Sequence, residues 1–135
     1  MVIDQHIKIL LIDDDADDRL LFATAVAELG AKIHCECASG TVEALAYLKD
    51  ADSLPDYIFL DLNMPGFDGK KCLKQIKAVE QLQNIPVIIY STFISPKDIH
   101  EMMRMGADDV ITKPGDFADL QAVITRSIQG LKTNR

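Results

Sequence analysis

Strand-length apolar runs and helix-length amphipathic stretches alternate five times along this chain, and that alternation limits the fold more than any other feature. The runs are 7–12 (Ile-Lys-Ile-Leu-Leu-Ile), 32–38, 57–60, 86–90 and 109–112. The first is nearly continuous in apolar residues, as a strand covered on both faces must be. Between the runs lie helix signals. A helix after Asp13-Asp14-Asp15 carries Leu21, Ala25 and Leu29 at a spacing of four, with Gly30 as its C-cap. Ser39-Gly40-Thr41 opens a second, expected to bury Val42, Leu45, Ala46 and Leu48 and to fade near Asp52. After the Pro65-Gly66 turn, Asp68 starts a third, with Cys72, Leu73, Ile76 and Val79 inward. Ser95-Pro96-Lys97-Asp98 supplies an N-cap, a first-turn proline and an acid for a fourth, which stops at Gly106. Asp116 caps a fifth, with Leu120, Val123, Ile124, Ile128 and Leu131 on one side. The expected fold class is α/β: a parallel sheet with helices on both faces.

The 135 residues suit one domain, 1–135 with a core of about 7–130, and the last helix leaves no room for an output domain. A net charge of −7 argues against a nucleic-acid surface, which needs clustered Lys and Arg. Met1 to His6 is polar and no run approaches the roughly 20 apolar residues of a membrane span, so neither a signal peptide nor membrane insertion is expected. Cys35, Cys37 and Cys72 are odd in number and lack a CxxC pair. They read as ordinary buried thiols of a reducing cytoplasm, although Cys35 and Cys37 share one strand face. Met102, Met103 and Met105 suggest an adaptable surface, but two of them filling the core side of their helix is the simpler reading. His6, His34 and His100 have no neighbours that suggest a ligand set.

In a parallel sheet the carboxyl ends of all strands face one rim, where ligands bind. Here strand one delivers Asp13 and Asp14, strand three Asp61, strand four Ser91 and strand five Lys113. Three carboxylates within about 4–5 Å would repel one another by several kcal/mol per pair at an effective dielectric near 20. Lys113 can neutralise one charge; a hard, oxygen-ligated dication is the simplest partner for the rest. Mg²⁺ suits best, since it takes one or two carboxylates and fills other positions with water and phosphate oxygens. Beside such a cation Asp61 can act as a nucleophile toward phosphorus. Asp15, Asp17 and Asp18 extend the acidic run and read first as helix-capping and first-turn acids, with tuning of the metal site or a partner contact as the lesser reading.

Ile12-Asp13-Asp14, the stretch Leu60-Asp61-Leu62-Asn63-Met64-Pro65-Gly66-Phe67-Asp68-Gly69, Tyr90-Ser91-Thr92 and Lys113-Pro114 together resemble the receiver domain of bacterial two-component response regulators. The resemblance runs from about Ile7 to Gly130. It implies a flavodoxin-like, doubly wound sheet of order 2-1-3-4-5 with five helices. It implies a stand-alone phosphoacceptor module. Asp61 would take a phosphoryl group from a histidine kinase or histidine phosphotransfer protein. Asp14, Asp61 and the main-chain carbonyl of Asn63 would ligate Mg²⁺, with Asp13 acting through a bound water. Lys113 would pair with the phosphoryl group, and the Lys113-Pro114 bond would be cis. Ser91 would swing toward the phosphoryl group and pull the following loop with it. The downstream protein target would dock on the fourth helix, fifth strand and fifth helix, the protein being a monomer or a phosphorylation-linked homodimer.

Three positions depart from the family pattern. Val110 stands where many receivers carry an aromatic switch residue, Gly115 follows Lys113-Pro114 in place of a large apolar residue, and Thr92 replaces a frequent alanine, which narrows access to the site. They affect the activation route rather than the chemistry. A Mg²⁺-dependent phosphatase working through an aspartyl-phosphate is the competing reading. Such enzymes often place an acid two residues after the nucleophile, where this chain has Asn63. A flavodoxin-type FMN carrier would need a Ser/Thr/Gly-rich loop after the first strand, and that loop is aspartates here.

Overall fold

The computed structural model describes residues 6–50, 52, 54–62 and 69–132. Five strands, β1 (Ile7–Ile12), β2 (Ile33–Ala38), β3 (Tyr57–Leu60), β4 (Val87–Ser91) and β5 (Asp109–Thr112), alternate with five helices. These are α1 (Ala16–Leu29), α2 (Thr41–Asp50), α3 (Gly69–Ala78), α4 (Pro96–Arg104) and α5 (Phe117–Lys132). All strand pairs are parallel, and the sheet order is β2-β1-β3-β4-β5. The flavodoxin-like expectation is met.

Alternation along each strand splits the apolar residues between two cores. Leu10, Ile12, Ile58, Leu60, Val87 and Ile89 face α2, α3 and α4, where Ala44, Leu48, Cys72, Leu73, Ile76 and Met102 meet them. Ile9, Leu11, Phe59, Ile88 and Tyr90 face α1 and α5, packing on Phe22, Ala25, Val26, Leu120, Ile124 and Ile128. Three rings of that second core, Phe22, Phe59 and Tyr90, meet edge to face at 5.1–6.2 Å, the arrangement their quadrupoles favour. Of the three methionines, Met102 is buried, Met105 packs against the core and Met103 is exposed.

Helix starts follow local chemistry. Asp15 caps α1 by accepting from the backbone N–H groups of Asp17 and Asp18, Ser95 caps α4 through the Asp98 N–H, and Asp116 accepts from Asp119 N–H ahead of α5. The Pro65-Gly66 turn and the Asp68 helix start lie outside the described residues, as does the side chain of Leu131. Gly69 begins α3 against the backbone of Leu62: a Cβ there would meet Leu62 Cδ1 at 2.7 Å and Leu62 Cα at 3.0 Å. No larger residue fits without moving the segment beside Asp61.

Two inward stripes differ from expectation. In α1 the buried residues are Phe22, Ala25 and Val26, while Leu21 is 46% exposed. In α2, Val42 is 86% exposed and Ala46 is exposed as well, while Ala44 takes a core position. Val79 lies beyond the end of α3, in extended backbone, and is also exposed. Cys72 is buried, but Cys35 and Cys37, on edge strand β2, are only half-buried; all three are free thiols.

Candidate functional site

Backbone hydrogen bonds carry the sheet's register one residue past the strand ends. Asp13 N–H donates to Ala38 O (3.0 Å), Asp61 N–H to Ile12 O (2.9 Å) and Lys113 N–H to Ser91 O (2.9 Å). The neighbouring strands β1, β3, β4 and β5 therefore present Asp13, Asp61, Ser91 and Lys113 side by side at their carboxyl ends. Strand alternation adds direction: Asp13, Asp61 and Lys113 continue the parity of Leu11, Phe59 and Ile111, which face α1 and α5.

The contacts at this rim are specific. Lys113 Nζ donates to Asp13 Oδ2 (2.8 Å), Asp18 Oδ2 (2.8 Å) and Asp61 Oδ2 (3.1 Å). Ser91 Oγ donates to Asp61 Oδ1 (3.0 Å). Both carboxylate oxygens of Asp61 are thus held, one by a hydroxyl and one by an ammonium. Asp13 Oδ1 also accepts from Asp15 N–H at 3.0 Å, and Arg19 Nη1 donates to Asp13 O at 2.9 Å, tying α1 to the rim. Below the ammonium lies the Tyr90 ring, 5.3 Å from Nζ to its centroid, within cation–π range.

Burial sharpens the electrostatics. Asp13 and Ser91 are fully enclosed and Asp61 nearly so, and only 11% of the Lys113 side chain is exposed. Burial pushes the Asp13 carboxyl up from its ordinary range, against hydrogen bonds from Lys113 and the Asp15 backbone. For Lys113 burial alone would lower the ammonium, but its hydrogen bonds to Asp13 and Asp18 and the charge of Asp61 override that and raise it. The lysine is therefore locked in its protonated form, while Asp13 is made harder to ionise. Burial also pushes the Tyr90 phenol up to about 12.

Asp13, Asp14 and Asp61 offer carboxylate oxygens that lie within 4.8 Å of one another, and Asp14 is exposed. This is an all-oxygen, negatively charged donor set open to solvent on one side, which fits a hard divalent cation. The carbonyl of Asn63 lies outside the described residues. The Lys113-Pro114 bond corrects an expectation: there is no cis peptide bond among the described residues. The trans form is favoured intrinsically by about 0.5–1 kcal/mol, and with it Lys113 still reaches all three carboxylates. Asp18 is the member that the sequence did not single out. An acid in the first turn of a helix is sufficiently explained by capping and the helix dipole, which hid its second contact. The strand parity that turns Lys113 toward α1 was the signal available.

The response regulator receiver domain family matches residues 9–125. The regulatory protein AtoC of Escherichia coli (strain K12) is 33% identical over 90% of this chain, which spans only 25% of AtoC's length. The chemotaxis protein CheY-3 of Vibrio cholerae is 30% identical over 96% of this chain and 98% of its own. Among solved structures, the phosphorylated cyanobacterial phytochrome response regulator RcpA superposes with a TM-score of 0.79 at 33% identity, covering 88% of this chain and 89% of that one. The Mn²⁺-bound response regulator Rcp1 gives 0.75 at 25% identity over 87% and 88%. The chain belongs to the response regulator receiver domain family of two-component systems.

Proposed function

We propose that Asp61 is the phosphoacceptor of a phosphorelay, with Asp13, Asp14 and Asp61 holding Mg²⁺ and Ser91 and Lys113 serving the transferred group. The observation that carries this reading is the grip on Asp61, whose two oxygens lie 3.0 Å from Ser91 Oγ and 3.1 Å from Lys113 Nζ beside two further acids. In the reaction one Asp61 oxygen attacks the phosphorus of a phosphohistidine in line. The P–N bond breaks, and the imidazole leaves with the bonding pair. Lys113 and Ser91 turn from the carboxylate oxygens to the phosphoryl oxygens, replacing water with fixed donors as charge builds there. When bound, Mg²⁺ supplies charge neutralisation for carboxylate and phosphoryl oxygens together. RcpA in its phosphorylated form and Rcp1 with Mn²⁺ support the same chemistry in relatives.

The donor is a histidine kinase or histidine phosphotransfer protein, and the setting is the cytoplasm; no helix among the described residues is long and apolar enough to cross a membrane. Phosphorylation shifts a conformational balance by the difference in its contacts between two states, and a protein target reads the result. Ser91 starts inside the site, already bonded to Asp61, and β4 leads directly into Phe93, which is 73% exposed. With Val110 half-buried against the core beneath α4, the output runs through this loop and not through an aromatic rotamer at position 110.

Incubation with acetyl phosphate and Mg²⁺ is expected to add one phosphoryl group by intact mass, and Asp61→Asn to abolish the addition. Unmodified wild-type protein at high donor concentration overturns the reading. Steady turnover of a phosphoester would instead support the phosphatase.

A further inference from the structure

The ammonium of Lys113 has three N–H donors and three carboxylate partners, Asp13, Asp18 and Asp61. Two of those partners belong to the oxygen cluster suited to a cation, and the third does not. A cation entering that cluster must compete with the ammonium for Asp13 and Asp61. Lys113 has little freedom to withdraw, being 11% exposed and packed over the Tyr90 ring. A desolvated ammonium stripped of its partners is costly. Asp18 removes that cost. Its side chain is 37% exposed, so it keeps part of its hydration while it holds the ammonium, and it sits in the first turn of α1, where the helix dipole favours a carboxylate.

We propose that Asp18 is a positioning residue: a holding site that keeps Lys113 in the pocket while Asp13 and Asp61 are surrendered to the cation. Lys113 then remains within reach of the phosphoryl group instead of being expelled or blocking the metal. Keeping one carboxylate partner costs far less than losing all three. The idea rests on the reading of Asp13, Asp14 and Asp61 as a Mg²⁺ site, and it adds a residue outside the family motifs.

The test is calorimetric titration of the unphosphorylated protein with Mg²⁺. Asp18→Asn is expected to bind roughly five-fold more weakly, a coupling of the size found within charged networks, and Asp18→Glu to recover most of the loss. The same substitution is repeated in a Lys113→Met background. If Asp18 acts by holding the lysine, its effect there largely disappears. If it acts merely as one more negative charge near the cation, the full effect persists and the proposal is overturned. Unchanged affinity in Asp18→Asn also overturns it while leaving the phosphoacceptor reading intact. Failure of the wild-type protein to bind Mg²⁺ at all overturns both.

Discussion

Aspartates stand at both ends of this sheet and do opposite work. At the amino end, Asp56 Oδ2 accepts from Lys8 N–H on β1 (2.9 Å), and Asp108 Oδ2 accepts from Val87 N–H on β4 (2.8 Å). Each carboxylate there meets a backbone donor of a neighbouring strand, and Asp108 also has Lys77 at 3.7 Å. These acids are spread out and are stabilised locally. At the carboxyl end, Asp13, Asp14 and Asp61 crowd within 4.8 Å, with Asp18 reaching in, around a single ammonium. One end staples strands together; the other stores unbalanced charge. The residue type does not distinguish them. The number of acids per positive charge does, and among the described residues the crowded end is where carboxylates gather closely enough to hold a cation.

The contrast is broken most severely by removing the lysine. Lys113→Ala leaves buried acids with no counter-charge, a change that costs about 3 kcal/mol or more. Urea unfolding without divalent cations should show that loss, and added Mg²⁺ should restore much of it. Equal instability with and without Mg²⁺ would mean that the crowded end has no cation site. At the other end, Asp108→Ala should cost about 1–2 kcal/mol by orphaning the Val87 N–H, with phosphoryl uptake on Asp61 unchanged by mass. A loss of uptake in the folded variant would erase the distinction between the ends.

The smallest effect concerns the floor of the crowded end. An unfolded tyrosine ionises near pH 10, whereas buried Tyr90 holds its proton to about 12. Across that window the folded state keeps a proton that the unfolded state has lost. The stability present below about pH 10 therefore falls as pH rises toward 12. Tyr90→Phe should show a shallower decline in urea midpoint over this window than the wild type, and identical slopes would place the phenol in water.

Much of this was readable from the chain. Short apolar runs mark β1, β3 and β4, and the Ser95-Pro96 and Asp116 starts follow from capping chemistry. The four rim residues came from one rule, that parallel strands end on the same side. Harder was the choice between adjacent helix stripes. Leu21, Ala25 and Leu29 fit a spacing of four, yet the helix turns Phe22, Ala25 and Val26 inward, because the aromatic cluster with Phe59 and Tyr90 needs the larger ring. Val42 reads as core from hydrophobicity alone, but its side chain faces solvent, and Ala44, in the same turn of α2, fills the core position. Asp18 was masked because a simpler local cause accounted for it.

The Lys113–Asp13 pair spans 100 residues of sequence, and the Lys113–Asp61 pair spans 52. The positive charge follows β5, the last strand among the described residues, and so is made long after all four acids. A growing chain carries the acids early but has no lysine to gather them until β5 docks on β4. The cluster at the sheet's carboxyl end is therefore complete only once β5 is paired with β4.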